Sequence, residues 1–316
     1  MADLSVRIGG LTLRNPVMPA SGCFAIEYLE ALDFNRLGAL VIKSVSPRAR
    51  AGNPTPRVAE THGGMLNSIG IPGKGLDHYR THVLPPYTRY DTPVVVSVSA
   101  DTAEEFALAC EALSLPGVAA LEANISCPNL EADGMAFAML PETTRQAVAA
   151  IRRRTRHPLW VKLTPNASDI AAVARAAEDA GADAIVMGNT VLGMAIDVRT
   201  RKPRLGNVMG GLSGPAIKPV AVRLVHQCHR AVRIPVIGCG GIQNAEDAVE
   251  FMLAGASAVQ VGTASFRDPG VMGKIVDGLH AYCGETGTAA LRELTGQVSL
   301  DRQLSDRWLR FAQQSG

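Results

Sequence analysis

Residues 158–187, PLWVKLTPNASDIAAVARAAEDAGADAIVM, decide the expected fold. The first apolar run, 159–163, has the length of a buried strand. Ser168 and Asp169 can cap the helix that follows, whose apolar residues recur at helical spacing, and Gly181 can end it. A second strand, 184–187, starts at once. The segment therefore predicts a strand, a helix and another strand in close succession.

The same unit recurs along the chain. Short apolar runs predict eight strands, at 17–20, 40–45, 94–98, 121–124, 159–163, 184–187, 236–239 and 258–261. Buried strands that alternate with helices predict a parallel sheet covered on both faces. Eight units favour an α/β fold, a closed (βα)8 TIM barrel that makes residues 1–316 one domain. A doubly wound open sheet is the alternative, but no GxGxxG follows the first strand.

Other segments interrupt the repeat. Gly9 and Gly10, between two short alternating runs, predict an N-terminal hairpin over 6–13 that plugs the bottom of the barrel. The connections 46–73 and 190–214 are too long for plain strand-to-helix loops, so we expect long structured loops over the C-terminal face. Residues 129–141, with Gly134 as a hinge, predict a lid.

Composition excludes several classes of protein. Hydrophobic residues make up 47% of the 316 residues and charged residues 19%, which suits a large core rather than disorder. A net charge of +2 does not favour nucleic acid or a membrane surface, and no apolar run suggests a membrane span or a secretion signal. The six cysteines contain no CxxC pair, so we expect free thiols. Neither the cysteines nor His78 and His82, which lack a third ligand, predict a metal site. We expect a cytoplasmic protein.

Polar side chains collect where the predicted strands end, which is where barrel enzymes carry their chemistry. Lys43 and Lys162 lie in strands, and a buried lysine is costly without a partner anion. Together with the nearby asparagines and a cysteine, they indicate an anionic ligand. Gly240-Gly241 and Gly262-Thr263, after the last two strands, let backbone amides approach a phosphate.

Seven motifs carry a resemblance to a known family. They are PASGCF (19–24), GNPTPR (52–57), NSIG (67–70), NISCPN (124–129), VKL (161–163), TRKP (200–203) and GLSGP (211–215). With these motifs the chain resembles the class 1 dihydroorotate dehydrogenases over nearly its whole length. GNPTPR and TRKP look most like the B-type catalytic subunit.

The resemblance implies a function and a set of site residues. The family oxidises dihydroorotate to orotate with bound FMN in pyrimidine biosynthesis: a base takes the C5 proton and hydride passes from C6 to flavin N5. The motif places the catalytic base at Cys127 and a cation beside flavin N1 and O2 at Lys162. The substrate-facing positions are Lys43, Asn67, Ile69, Gly70, Ile71, Asn124, Asn129, Asn189 and Thr190. The positions that hold FMN are Ala20, Ser21, Lys43, Ser44, Asn124, Lys162, Gly214, Gly240, Gly241, Gly262 and Thr263.

The resemblance also implies partners. A B-type subunit passes electrons to NAD through a second protein with FAD and a 2Fe-2S cluster, and its core is expected to be a homodimer. The chain itself has neither a cluster-like cysteine array nor a dinucleotide fingerprint. Use of fumarate, as in the A-type, stays open. The alternatives are a related FMN barrel acting on another dihydropyrimidine, a non-flavin barrel with Lys162 as a Schiff base, and a non-catalytic barrel.

Overall fold

A ring of eight parallel strands forms the centre of the molecule. The computed structural model describes residues 2–127 and 136–299, so Asn129 and most of the predicted lid lie outside the described residues. The strands are β1 (Val17–Pro19), β2 (Leu40–Val45), β3 (Val94–Val98), β4 (Val118–Asn124), β5 (Leu159–Leu163), β6 (Ala184–Met187), β7 (Val236–Cys239) and β8 (Ala256–Val261).

The ring follows chain order. Each strand from β2 to β8 pairs in parallel with the next, and β8 pairs with β1. The N–H of Gly38, just before β2, donates to the carbonyl of Val17 in β1 at 2.9 Å and brings the last two edges together. The predicted TIM barrel is confirmed, and the open sheet is not found.

Six helices of ten or more residues cover the described part of the barrel: α1 (Ala103–Ala112), α2 (Pro141–Arg154), α3 (Ile170–Asp179), α4 (Lys218–Ala231), α5 (Ala245–Ala254) and α6 (Val271–Thr286). Side-chain caps start three of them, because Thr102, Asp169 and Asn244 each accept a backbone N–H from the first turn. The shorter helical segments are Ile26–Glu30, Phe34–Arg36, Leu76–His78, Tyr79–Val83, Tyr87–Arg89, Phe137–Met139, Pro215–Ile217, Ala264–Arg267 and Leu291–Leu294. Among the described residues, no helix is both long enough and apolar enough to cross a bilayer.

The hairpin plugs the lower end of the barrel, as predicted. Its antiparallel strands, Val6–Ile8 and Leu11–Leu13, place Val6, Ile8 and Leu13 in one apolar cluster with a residue from every barrel strand. Trp160 of β5 is the largest side chain in this cluster and is 0% exposed. The lower half of the barrel interior is therefore a closed apolar layer.

The two long connections join into a second sheet that the sequence did not predict. Its strand order is Val191–Met194, Met209–Ser213, Gly64–Asn67 and Val58–Thr61, all antiparallel. Two short ladders accompany it, Ala49–Arg50 with Gly73–Lys74 and Ile196–Asp197 with Lys202–Pro203. Because these segments follow β2 and β6, the sheet stands at the C-terminal mouth of the barrel.

Candidate active site

The upper half of the barrel interior is polar, and strand geometry explains why. Side chains alternate across a strand, so the residue two positions beyond each member of the apolar layer again points inward. In β3, β4, β5 and β8 these residues are Ser97, Glu122, Lys162 and Gln260. All four are at most 3% exposed.

A hydrogen-bond network links these four side chains. Ser97 Oγ donates to Glu122 Oε1 at 3.0 Å, and Gln260 Nε2 donates to Glu122 Oε2 at 2.6 Å. Lys162 Nζ donates to Gln260 Oε1 at 3.2 Å. Burial alone would lower the pKa of Lys162, but the Glu122 carboxylate and the nearby thiols raise it above the usual value. The ammonium therefore stays charged although it is buried.

The ammonium of Lys162 has capacity to bind a further group. It carries three N–H donors, and among the described residues it has one hydrogen-bond acceptor, Gln260. Buried donors are normally satisfied, so the remaining donors fit a ligand with acceptor atoms. The N1 and O2 side of a flavin has this character.

Cys127 lies beside the end of β4, among amide side chains. Asn124 Nδ2 is 3.6 Å from Cys127 Sγ and 3.4 Å from Ser44 Oγ. Ser126 Oγ donates to Asn124 Oδ1 at 2.5 Å and accepts from Asn189 Nδ2 at 2.6 Å. Burial raises the pKa of the Cys127 thiol, although the charges of Lys162 and Arg50 and the Asn124 hydrogen bond oppose that effect.

Lys43 is not buried, contrary to the expectation from its strand position. The pairing of β2 with β3 shifts register between Ile42 and Val45, and the Lys43 side chain is exposed at the mouth. Its Nζ donates to the carbonyl of Pro72 at 2.5 Å. The surrounding protein still desolvates the ammonium enough to lower its pKa. The cost of a buried lysine therefore applies to Lys162 alone of the two.

The loop that ends at Pro72 carries three of the predicted substrate positions. Gly70 and Ile71 both adopt positive φ, 77° and 49°, and the carbonyl of Ile69 accepts the N–H of Asn53 at 3.1 Å. The hydrogen bond from Lys43 to Pro72 brings this loop to the end of β2.

The second sheet brings two further predicted positions together. Asn67 Nδ2 donates to the carbonyl of Gly211 at 3.4 Å. A Cβ atom added at Gly211 would collide with the side chain of Thr190. Asn67 and Thr190 therefore both lie next to Gly211.

The glycine positions form another sector of the mouth. Gly214, Gly240 and Gly241 have positive φ values of 99°, 135° and 80°. A Cβ at Gly241 would lie 3.0 Å from the Gly214 carbonyl, and one at Gly262 would lie 3.5 Å from Ala20 Cβ, so these backbones run close together. The remaining members of this sector are Thr263, whose Oγ1 donates to Ser213 Oγ at 2.8 Å, and the half-buried Ser21 next to Ala20.

Sequence reasoning missed several polar residues of the barrel interior and the mouth. Glu122, Gln260 and Ser126 were not among its candidates, although Glu122 and Gln260 interrupt apolar strands at the period of two that Lys162 follows. Cys23 and Cys239 also interact electrostatically with Lys162. Burial raises the pKa of Cys23 to about 12.

All six cysteines are free thiols. Within the described residues no group of three or more His, Cys, Asp or Glu side chains could hold a metal ion. The rings of His78 and His82 stack with centroids 4.4 Å apart.

Comparisons with known proteins agree with the resemblance. The family model described as dihydroorotate dehydrogenase matches residues 3–282. The chain is 50% identical over 299 residues to the Geotalea uraniireducens protein named dihydroorotate dehydrogenase B (NAD(+)), catalytic subunit, covering 94% of this chain and 98% of the relative. A Desulforamulus reducens protein of the same name is 50% identical over 301 residues, covering 94% and 99%.

A solved structure supports the fold. The DHODH of Eimeria tenella, in complex with ferulenol, superposes with a TM-score of 0.76 at 21% identity and covers 93% of this chain and 88% of that one. At that identity the likeness concerns the fold alone. The family assignment depends on the sequence comparisons, which span nearly the whole chain, and by them the chain belongs to the dihydroorotate dehydrogenase family.

Proposed function

We propose that the chain is the catalytic subunit of a B-type dihydroorotate dehydrogenase, which oxidises dihydroorotate to orotate in pyrimidine biosynthesis. Relatives that are 50% identical over 94% of the chain carry that name. The observation that carries the proposal is the placement of the Cys127 thiol beside Asn124 and near the buried ammonium of Lys162. A base and a cation on one side of a barrel mouth suit the removal of a proton and a hydride from one ring.

The cofactor we propose is FMN, which supplies a hydride acceptor when bound. Lys162 would hold the N1 and O2 side of the ring, because its ammonium is buried, charged and only partly satisfied. Ala20, Ser21, Lys43, Ser44 and Asn124 would contact the ring and ribityl chain. The phosphate would be held by the mouth sector that contains Gly214, Gly240, Gly241, Gly262 and Thr263.

Cys127 is the proposed base for the C5 proton of dihydroorotate. Only the thiolate can accept that proton, and the raised pKa of Cys127 keeps the thiol protonated at neutral pH. The Asn124 amide stabilises the thiolate as it forms, since its Nδ2 is 3.6 Å from Sγ. The charge of Lys162 acts in the same direction.

The substrate is held by groups that match its edges. The exposed ammonium of Lys43 can offset the substrate carboxylate. A flat pyrimidine ring needs donors and acceptors in its plane, and the carboxamides of Asn67, Asn124 and Asn189 supply both. The backbone of Ile69, Gly70 and Ile71 and the Thr190 side chain complete the proposed set, together with Asn129 outside the described residues.

The proposed electron path leaves the chain through a partner. A second subunit with FAD and a 2Fe-2S cluster would pass electrons to NAD, in keeping with the name of the relatives. A homodimeric core and a cytoplasmic location belong to the same proposal.

Anaerobic titration tests this function. Dihydroorotate should bleach the visible absorption of the purified yellow protein, whereas dihydrouracil should leave it unchanged. NAD, fumarate and quinone are then offered in turn to the reduced protein, and NAD should re-oxidise it only when the partner subunit is present. Bleaching by dihydrouracil alone would support the related dihydropyrimidine oxidoreductase instead, and re-oxidation by fumarate would assign the A-type.

A further inference from the structure

A carboxylate that the proposed mechanism does not use lies at the centre of the barrel. Glu122 is 0% exposed, and its hydrogen-bond partners in the described structure are the neutral side chains of Ser97 and Gln260. A buried charge is costly unless an opposite charge compensates it. The compensating charge here is Lys162, which Glu122 reaches through one amide, that of Gln260.

Glu122 determines which way the Gln260 amide faces. A carboxylate can only accept hydrogen bonds, so Gln260 must direct its NH₂ group to Glu122. The amide oxygen then faces Lys162, which donates to it at 3.2 Å. The opposite orientation would place oxygen against carboxylate and NH₂ against ammonium, two repulsive contacts. One carboxylate therefore fixes the acceptor that holds Lys162.

A second chain of donors ends at the same carboxylate. Ser97 donates to Glu122, so its oxygen is free to accept from Ser44 Oγ, 2.8 Å away. Ser44 in turn accepts from Asn124 Nδ2 at 3.4 Å. This arm reaches the mouth without touching Lys162, and so it provides an internal control for the first arm.

Four titratable groups face Lys162 from the elements packed around it. They are Glu122 on β4, Cys127 after β4, Cys23 after β1 and Cys239 on β7. Burial raises the pKa of all three thiols, so they are neutral near pH 7. Of these four groups, Glu122 opposes the effect of burial on Lys162 most strongly.

We propose that Glu122 is a positioning residue that acts through Gln260 to hold the Lys162 ammonium in place and keep it charged in the FMN-loaded enzyme. The proposal rests on the proposed FMN-dependent function. Without Glu122, the effect of burial is less strongly opposed, so the pKa of Lys162 falls and the ammonium gives up its proton more readily as the pH rises. Reduction of the bound flavin, which adds negative charge, then restores that proton.

The experiment counts protons. The number taken up per two electrons follows from the slope of the midpoint potential of bound FMN against pH, from about pH 7.5 to 9.5. In the wild type Lys162 stays charged, so we expect one constant number. In Glu122→Gln we expect one additional proton per two electrons toward the upper end of the range. The FMN dissociation constant of this variant should also rise with pH relative to that of the wild type.

Two further variants separate the proposed role from general damage to the core. Gln260→Leu and Ser97→Ala each remove one hydrogen bond from the same carboxylate, but only Gln260 touches Lys162. Gln260→Leu should show the additional proton and Ser97→Ala the wild-type number, and this pair decides the matter if Glu122→Gln does not fold. Glu178→Gln is the matched control, because that carboxylate accepts the N–H groups of Arg233 and Ile234 outside the barrel.

The outcomes are distinct. A wild-type proton number in both Glu122→Gln and Gln260→Leu would overturn the proposal, and so would an equal change in Ser97→Ala and Gln260→Leu. Chemical reductants suffice for the potentials, so the result does not depend on dihydroorotate turnover. Failure of dihydroorotate to reduce the wild type, or failure of the wild type to bind FMN, would instead count against the proposed function.

Discussion

The rate at which dihydroorotate reduces the bound flavin should depend on pH through the thiol of Cys127. The base is the thiolate, and burial raises the pKa of this thiol above its ordinary value of 9.0. At that ordinary value about 1% of the thiol would be ionised at pH 7, so the raised pKa leaves a smaller fraction. Below its pKa the thiolate population rises about tenfold with each pH unit, and the rate should rise with it.

Removing the thiol should remove this dependence. A positioned general base contributes roughly 10²- to 10⁴-fold, so Cys127→Ala should slow flavin reduction by about that factor at neutral pH. FMN binding should be retained, because the proposed flavin contacts of Lys162 and the glycine sector are untouched. Cys127→Ser should also be slow at neutral pH, since a hydroxyl loses its proton less readily than a thiol.

Stopped-flow mixing with dihydroorotate under anaerobic conditions measures the reduction rate directly. Cys283→Ala is the matched control, because Cys283 is a buried free thiol on the outer helix α6 and should leave the rate unchanged. If Cys127→Ala reduces its flavin at nearly the wild-type rate, or if the wild-type rate is flat with pH, Cys127 is not the base.

Substitutions at Arg152 and Trp160 test the packing of the barrel, and a substitution at Gly211 tests its mouth. Arg152→Ala should lower the free energy of unfolding, measured in urea, by about 2–4 kcal/mol. The reason is that the Arg152 guanidinium donates to three backbone carbonyls and a carboxylate. Arg153 is exposed, so the control Arg153→Ala should lower it by less than about 0.5 kcal/mol. Trp160→Ala should lower the free energy of unfolding, measured by thermal unfolding, by about 3–5 kcal/mol, because Trp160 is fully buried. Trp160→Phe should lower it by less than about 1.5 kcal/mol. Phenylalanine keeps most of the volume and removes an Nε1 donor that has no partner among the described residues. Gly211→Ala should lower kcat/KM by roughly tenfold to a hundredfold with the fold intact, because the new Cβ displaces Thr190; normal kinetics would separate Thr190 from the site.

The barrel could be predicted because its signals are local. Each strand is a short apolar run, and each cap or stop, such as Asp169 or Gly181, acts within a few residues of the helix it bounds. Predicted and observed strands agree to within a few residues at each end. The hairpin that plugs the barrel could also be predicted, because Gly9 and Gly10 indicate a turn between two strands that lie within eight residues of each other.

The features that were missed depend on partners distant in the chain. The second sheet pairs Gly64–Asn67 with Met209–Ser213, and nothing within either segment specifies that register. Arg152 lies in a run of arginines in the last turn of α2, and the run itself does not reveal that Arg152 reaches Asp183 at 2.9 Å. The exposure of Lys43 depends on a shift in how β2 pairs with β3, which side-chain pattern alone does not reveal.

The plug has a consequence for how the chain folds as it is made. Val6, Ile8 and Leu13 are buried against side chains from all eight strands, and the last of these, Ala258, belongs to β8. At 5–20 residues per second a ribosome needs roughly 10 to 50 seconds to travel from the hairpin to Ala258. Throughout that interval the hairpin lacks part of its final apolar surroundings. The hairpin is thus synthesised first but becomes fully buried only after β8 has been synthesised. Until then, a nascent chain must keep these apolar side chains from self-association.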